Sequence, residues 1–190
     1  APPDDEAYLS TGLALRTIAG GGRVVHRHLT YGERGTDDPD LWPADRLAGQ
    51  RRAELAESLS IVGVSDHEVL GLADGACADT DDDHPVAWIS AAICRLAPDL
   101  VVTFGPDGIT GHPDHIAVSR WTTRAWLQCG IGTLVYAAIP VSLRRSFEAM
   151  YDELGMDVDP TLAVDDDQIL SRLDLDADEL DAKRKCLAAH

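Results

Sequence analysis

The chain has 190 residues, 45% of them hydrophobic, which suits one globular domain with a sizeable core. Its 33 acidic residues against 16 basic ones leave a formal net charge of −17. That charge excludes nucleic acids and anionic membranes as partners, because both are bound through positive patches. The surplus of carboxylates reads as a highly solvated surface.

The chain opens on Ala1-Pro2-Pro3-Asp4-Asp5-Glu6, with three adjacent carboxylates. Residues 6–19 read as one helix, stopped by Gly20-Gly21-Gly22. That glycine run lacks the strand-glycine-helix order of a dinucleotide site. Residues 24–29 read as a strand, with His26 and His28 on one side of it. A half-exposed strand face explains this pair better than ligation. Residues 36–43 form a polar loop, and residues 46–60 a helix in which Leu55, Leu59 and Val62 keep helical spacing.

The stretch 73–84 carries Asp74, Asp79, Asp81, Asp82 and Asp83 without the order of a calcium loop, and reads as solvated. Val86, Ile89, Ile93 and Leu96 mark an amphipathic helix that Pro98 ends. Residues 100–104 are the best strand in the chain and are expected to lie buried at the centre of a sheet. A helix over residues 113–126, a strand over 132–139 and a helix marked by Leu143, Phe147, Met150 and Leu154 follow. Trp88, Trp121 and Trp126 fall in helix patterns and read as core packing.

The alternation of strands and helices predicts an α/β fold, a three-layer α/β/α arrangement on a mostly parallel, Rossmann-like sheet. No internal repeat or domain boundary stands out, so residues 1–190 are expected to form one domain. Cys77, Cys94, Cys129 and Cys186 show no metal-like spacing. They read as buried free thiols in a reducing, cytoplasmic compartment. No apolar run of about 18 residues exists, so no membrane span is expected.

The most informative segment is Gly111-His112-Pro113-Asp114-His115. It follows the best strand and precedes a helix, where open α/β folds place their chemistry. Proline suits the first helical turn. This puts His112 at the helix entrance and His115 one turn in, on the same side. Asp114 is expected either to orient one imidazole or to serve the helix start.

On these residues the chain resembles the LmbE-like/PIG-L family of zinc-dependent de-N-acetylases, which act on N-acetylglucosamine-type conjugates. Ala1 to Glu6 match its A-H-P-D-D-E motif at five of six positions. Thr30 to Gly35 match T-x-G-E-x-G, and Gly111 to His115 match G-H-P-D-H in full. Arg51-Arg52-Ala53-Glu54-Leu55 is similar to the family's R-x-x-E-L helix, Asp74-Gly75 to its D-G turn, and residues 183–190 to the approach to its last motif. Gly32 and Gly35 are expected to need positive φ.

The resemblance implies a zinc ion held by Asp5 and His115, with Asp4 as general base. His112 would stabilise the oxyanion and help protonate the leaving amine. Arg51 and Asp74 would bind the substrate, a small amino-sugar conjugate, and all four carboxylate and imidazole groups would meet at the carboxyl edge of the sheet. The family's first ligand histidine is replaced by Pro2, which has no side-chain donor. A non-catalytic relative that has lost its metal site is therefore the alternative. The family places a strand before its first motif and continues after its last, so the chain reads as cut at both ends.

Overall fold

The computed structural model describes residues 2–153 and 162–190. These form two compact units, one of residues 2–76 and 173–190 and the other of residues 77–153 and 162–172. Helices alternate with strands, and both strand pairs are parallel, as the α/β expectation requires.

In the first unit, helices α1 (Asp5–Leu9) and α2 (Thr11–Ala19) stand where one helix was expected. The break is chemical. The Ser10 hydroxyl donates to the Glu6 carbonyl and the Thr11 hydroxyl to the Ala7 carbonyl, so side chains compete with the helical ladder. Gly20 ends α2 as anticipated. Strand β1 (Val25–Thr30) runs into the long helix α3 (Ala44–Ile61). Strand β2 (Asp66–Leu72) then pairs in parallel with β1. The sequence reading missed β2.

The core of this unit gathers Ala7, Ala14, Leu55, Leu59, Val62, Val64 and Cys186. Cys186 arrives on α7 (Ala177–Ala188), whose start is locked by a capping box between Asp176 and Glu179. Residues distant in sequence thus bury one apolar stripe each against α3.

In the second unit, α4 (Asp83–Leu96) buries Val86, Ile89 and Ile93, the face that its spacing foretold. Strand β3 (Leu100–Phe104) leads into α5 (Pro113–Cys129), and β4 (Thr133–Ala137) pairs in parallel with β3. Helix α6 (Val141–Glu153) carries Leu143, Phe147 and Met150, all partly exposed; Leu154 lies outside the described residues. Trp121 is fully buried on α5, and Trp126 donates its indole N–H to the Gly132 carbonyl.

Two expectations are corrected here. Residues 100–104 form the strand, but Leu100 and Val102 are each 42% exposed. Only Thr103 and Phe104 are buried, because β3 alternates its faces and is covered at its carboxyl end. The second correction concerns the thiols. Cys94 of α4 and Cys129 of α5 form a disulfide, while Cys77 and Cys186 are free and buried. The two helices lie side by side, and the bond joins the end of one to the end of the other. The thiols therefore give no ground for a reducing compartment.

The bond closes a loop with a sequence separation of 35 residues. Loop-closure entropy on that scale is worth about 3–4 kcal/mol. Unreduced, denatured protein should show two titratable thiols and reduced protein four. Cys94→Ser should lower the urea midpoint, whereas Cys77→Ser should leave the disulfide count unchanged.

Candidate active site

The two histidines of the 111–115 segment sit as their spacing implied. Pro113 starts α5, and His112 is its N-cap. The ring centroids of His112 and His115 are 5.0 Å apart. Below them, Phe104 at the carboxyl end of β3 stacks on the His115 ring at 4.2 Å. Strand, loop and helix therefore fix both rings.

Their hydrogen bonds set opposite tautomers. The Asp114 backbone N–H donates to His112 Nδ1 at 3.2 Å. Nδ1 is thus an acceptor, and the neutral ring carries its proton on Nε2. His115 Nδ1 lies 3.1 Å from the Gly108 carbonyl, which only accepts. Nδ1 of His115 is therefore the protonated nitrogen, and Nε2 carries the lone pair. One ring offers a donor at Nε2 and the other an electron pair, the division that carbonyl polarisation and metal ligation require.

The loop between β3 and α5 is built under strain to achieve this. Gly108 has φ +69°, and a Cβ there would stand 3.0 Å from the His115 Cβ. Ile109, a buried β-branched residue, has φ +66°. Such a conformation costs about 1–3 kcal/mol and persists where surrounding contacts impose it. Asp114 is fully buried, and its carboxylate accepts the Cys77 N–H at 3.0 Å, tying α5 to the short 3-10 turn Cys77–Asp79.

In the first unit, Asp4 precedes α1 with φ +116° and ψ −39°, a second strained position. Arg51 Nη1 lies 3.4 Å from its carboxylate, and the Asp4 N–H donates to Glu6 Oε2 at 2.9 Å. Burial, and then repulsion from Asp5, push the Asp4 carboxyl up to about 6, against the pull of Arg51 and His190. Glu6 behaves oppositely. Burial raises it, but hydrogen bonds from His190, His28 and the Asp4 N–H outweigh that and hold it far below the ordinary range.

His28 is not on a half-exposed face, as the sequence suggested. It is buried, with Nε2 3.5 Å from Glu6 Oε2. Burial first, and His28 second, push the neighbouring His26 down to about 4.

Arg51 does not stand free for a substrate. Besides Asp4 it faces Glu54 at 3.9 Å, and its guanidinium lies close to Gly35. Gly35 does not take positive φ; a Cβ there would stand 3.1 Å from Arg51 Nη2. Gly32 has φ +70°, and a Cβ there would stand 3.1 Å from the Pro2 Cβ. Asp74 is buried. Its carboxylate accepts the Thr30 hydroxyl at 2.9 Å and the Arg34 N–H at 3.2 Å, while Glu33 accepts the Asp74 N–H at 2.8 Å. This reciprocal clasp sets the 30–35 loop.

Asp4, Asp5, Arg51 and Asp74 thus belong to the first unit, and His112 and His115 to the second. Among the described residues, no group of three or more His, Cys, Asp or Glu side chains is placed to hold a metal ion. No helix among them is long and apolar enough to cross a membrane.

A raised folded pKa means that protonation favours the fold. Asp4's contribution to stability is therefore present below pH 3.8 and lost as pH rises through about 6. Asp4→Asn should raise Tm at pH 7, with the gain vanishing near pH 4. Carboxyl 13C titration of the metal-free protein should place Asp4 near 6, and Arg51→Met should move it higher. A titration at the ordinary aspartate value would refute the burial of this group.

Comparison with known proteins gives the family. The profile of PIG-L, described as GlcNAc-PI de-N-acetylase, matches residues 1–126. The 1D-myo-inositol 2-acetamido-2-deoxy-alpha-D-glucopyranoside deacetylase of Corynebacterium diphtheriae is 37% identical over 161 residues, covering 74% of this chain and 55% of its own. The enzyme of the same name from Rhodococcus opacus is 31% identical over 229 residues, covering all of this chain and 78% of its own. The chain thus spans little more than half of the Corynebacterium relative. In fold, N,N'-diacetylchitobiose deacetylase from Pyrococcus horikoshii superposes with a TM-score of 0.67 at 19% identity, over 99% of this chain and 66% of that one.

Proposed function

Because the chain belongs to the PIG-L (LmbE-like) family, we propose that it is a metal-dependent hydrolase that removes acetyl from an N-acetylglucosamine-type conjugate. The observation that carries this reading is the pair of oppositely fixed imidazoles at the start of α5. The relatives, deacetylases of an acetamido sugar by name, supply the substrate class.

The chain offers a divalent ion two side chains of the ligating kind. His115 presents the Nε2 lone pair that ligation needs, and Asp5 offers a carboxylate; Pro2 offers nothing. We assign Asp5 and His115 as the protein ligands of zinc. When bound, the ion supplies Lewis-acid polarisation of the amide and acidifies the attacking water.

The chain's own groups do the rest. Asp4, with a carboxyl pushed up to about 6, takes the proton of the attacking water, because a base near neutrality both accepts and returns protons readily. The His112 Nε2–H donates to the carbonyl oxygen as charge develops there, and helps the leaving amine take up the proton that Asp4 removed from water. Arg51 acts on the substrate side through its hold on Asp4, and Asp74 through the loop that it clasps. The partner is a small amino-sugar conjugate. A cytoplasmic location is part of the proposal, and finding the Cys94–Cys129 bond intact in cells argues against it.

Pro2 favours a second reading, a relative that binds an amino sugar without cleaving it. Zinc titration and amine release, measured with Pro2 and with Pro2→His, separate the two. The deacetylase reading expects weak zinc loading with Pro2, and tighter loading with measurable amine release after Pro2→His. Zinc binding without cleavage across a panel of acetylated amino sugars would overturn the substrate assignment. Equal zinc binding by both proteins would show that position 2 is not a ligand position.

Adding Asp4→Asn to the Pro2→His protein should cut turnover by about 100- to 10,000-fold while zinc stays bound. Loss of zinc in that variant would make Asp4 a ligand rather than the base.

A further inference from the structure

The third carboxylate of the opening motif has no role in the chemistry above, yet its side chain meets partners from distant parts of the first unit. Glu6 is 4% exposed. Its Oε1 accepts the Ser58 hydroxyl at 2.8 Å and lies 2.8 Å from His190 Nε2. Its Oε2 accepts the Asp4 N–H at 2.9 Å and faces His28 Nε2 at 3.5 Å. The partners come from α3, from β1 and from the end of the chain after α7, so three elements converge on one carboxylate.

We propose that Glu6 is a positioning residue: clasped by Ser58, His28 and His190, it holds the Asp4 backbone in its left-handed conformation and so aims the Asp4 carboxylate. This rests on the assignment of Asp4 as the base. Asp4 is gripped at both ends, its N–H by Glu6 and its carboxylate by Arg51. Aspartate at φ +116° needs such a grip, because an L residue leaves that region when it is released. The Glu6 carboxylate is the acceptor that the Asp4 N–H finds in that conformation.

Stability alone does not account for the arrangement. A buried, ionised group with its partners is commonly no more stabilising than apolar residues of the same volume. What the carboxylate supplies is geometry. It has two oxygens with several acceptor directions, and it links the start of α1 to residues 52 and 184 positions away. His190 is then the outermost holder of the base: it bonds to Glu6 and adds its own pull on the Asp4 carboxyl.

The test compares Glu6→Gln, His190→Ala and His190→Gln. Gln at position 6 keeps the volume but only one acceptor oxygen, so its NH2 faces donors on one side of the clasp, either Ser58 and His190 or the Asp4 N–H and His28. Gln at position 190 keeps a donor toward Glu6; Ala does not. In the metal-free 190-residue protein, hydrogen exchange of the Asp4 amide should quicken at least tenfold in Glu6→Gln and His190→Ala. The amides of Leu55 and Leu59 should keep their protection, and His190→Gln should restore the Asp4 amide.

In a Pro2→His background that turns over, Glu6→Gln and His190→Ala should lower kcat tenfold or more with KM unchanged, and His190→Gln should recover most of it. Unchanged Asp4 exchange in folded Glu6→Gln overturns the proposal, as does equal loss of protection at Asp4, Leu55 and Leu59. If Glu6→Gln does not fold, the His190 pair decides by the same criteria. If no background turns over, the deacetylase reading fails, and the exchange measurements still decide the positioning role.

Discussion

A buried carboxylate must be met by donors, and around α1 that requirement falls on Glu6. Its satisfaction draws in Ser58 from the long helix α3, His28 from the first strand and His190 from the far end of the chain. Ser58 lies on α3 and His190 follows α7, so the polar clasp and the apolar cluster of Leu55, Leu59 and Cys186 constrain the same two helices. The break at Ser10 belongs to the same logic. One short helix presents Glu6 inward, and the next can turn its own face toward α7. The two opening aspartates then ride on a backbone whose direction is decided one residue later.

The second unit solves an analogous problem with uncharged groups. Gly108 and Ile109 both take positive φ, and the carbonyl of Gly108 is thereby presented to His115 Nδ1. The Asp114 amide, in the first turn of α5, is presented to His112. Backbone groups left over at a loop and at a helix start thus become the devices that sort two chemically identical rings into a donor and an acceptor. Asp4, itself the proposed base, and Ile109, three residues before His112, both take positive φ. Conformational cost accumulates where a fixed direction is worth more than local stability.

Much of this was legible in the sequence because it rests on local rules. Proline at the first helical turn placed His112 and His115 without knowledge of any contact, and the spacing of Val86, Ile89 and Ile93 picked out the buried face of α4. What escaped depends on partners far apart in the chain. Nothing near Glu6 announces His190, and nothing in the spacing of Cys94 and Cys129 announces their bond until α4 and α5 lie side by side. His28 looked half-exposed because alternation along a strand does not tell which face a distant carboxylate will cover. Strand β2 escaped because Asp66, His67 and Glu68 dilute its apolar signal; Asp66 is held by Arg23 and Arg27, which lets a polar segment pair with β1. Gly35 was assigned to backbone freedom when its neighbour is the Arg51 guanidinium, a reason that only three dimensions supply.

Pro2 is the one position where the opening motif and the surrounding structure pull apart, and the conflict is chemical rather than steric. The Gly32 backbone comes close to the Cβ of residue 2, and any side chain at that position has the same Cβ. The loop bearing Gly32 is in turn held by the Glu33–Asp74 clasp, which makes no use of residue 2. Asp4 keeps its strained backbone, its raised carboxyl and its grip from Glu6 with proline two residues before it. The proline therefore removes a donor without dismantling the frame around it. A frame that retains the costly φ of Asp4 and the buried charge of Glu6 is organised for directing a carboxylate, whichever residue occupies position 2.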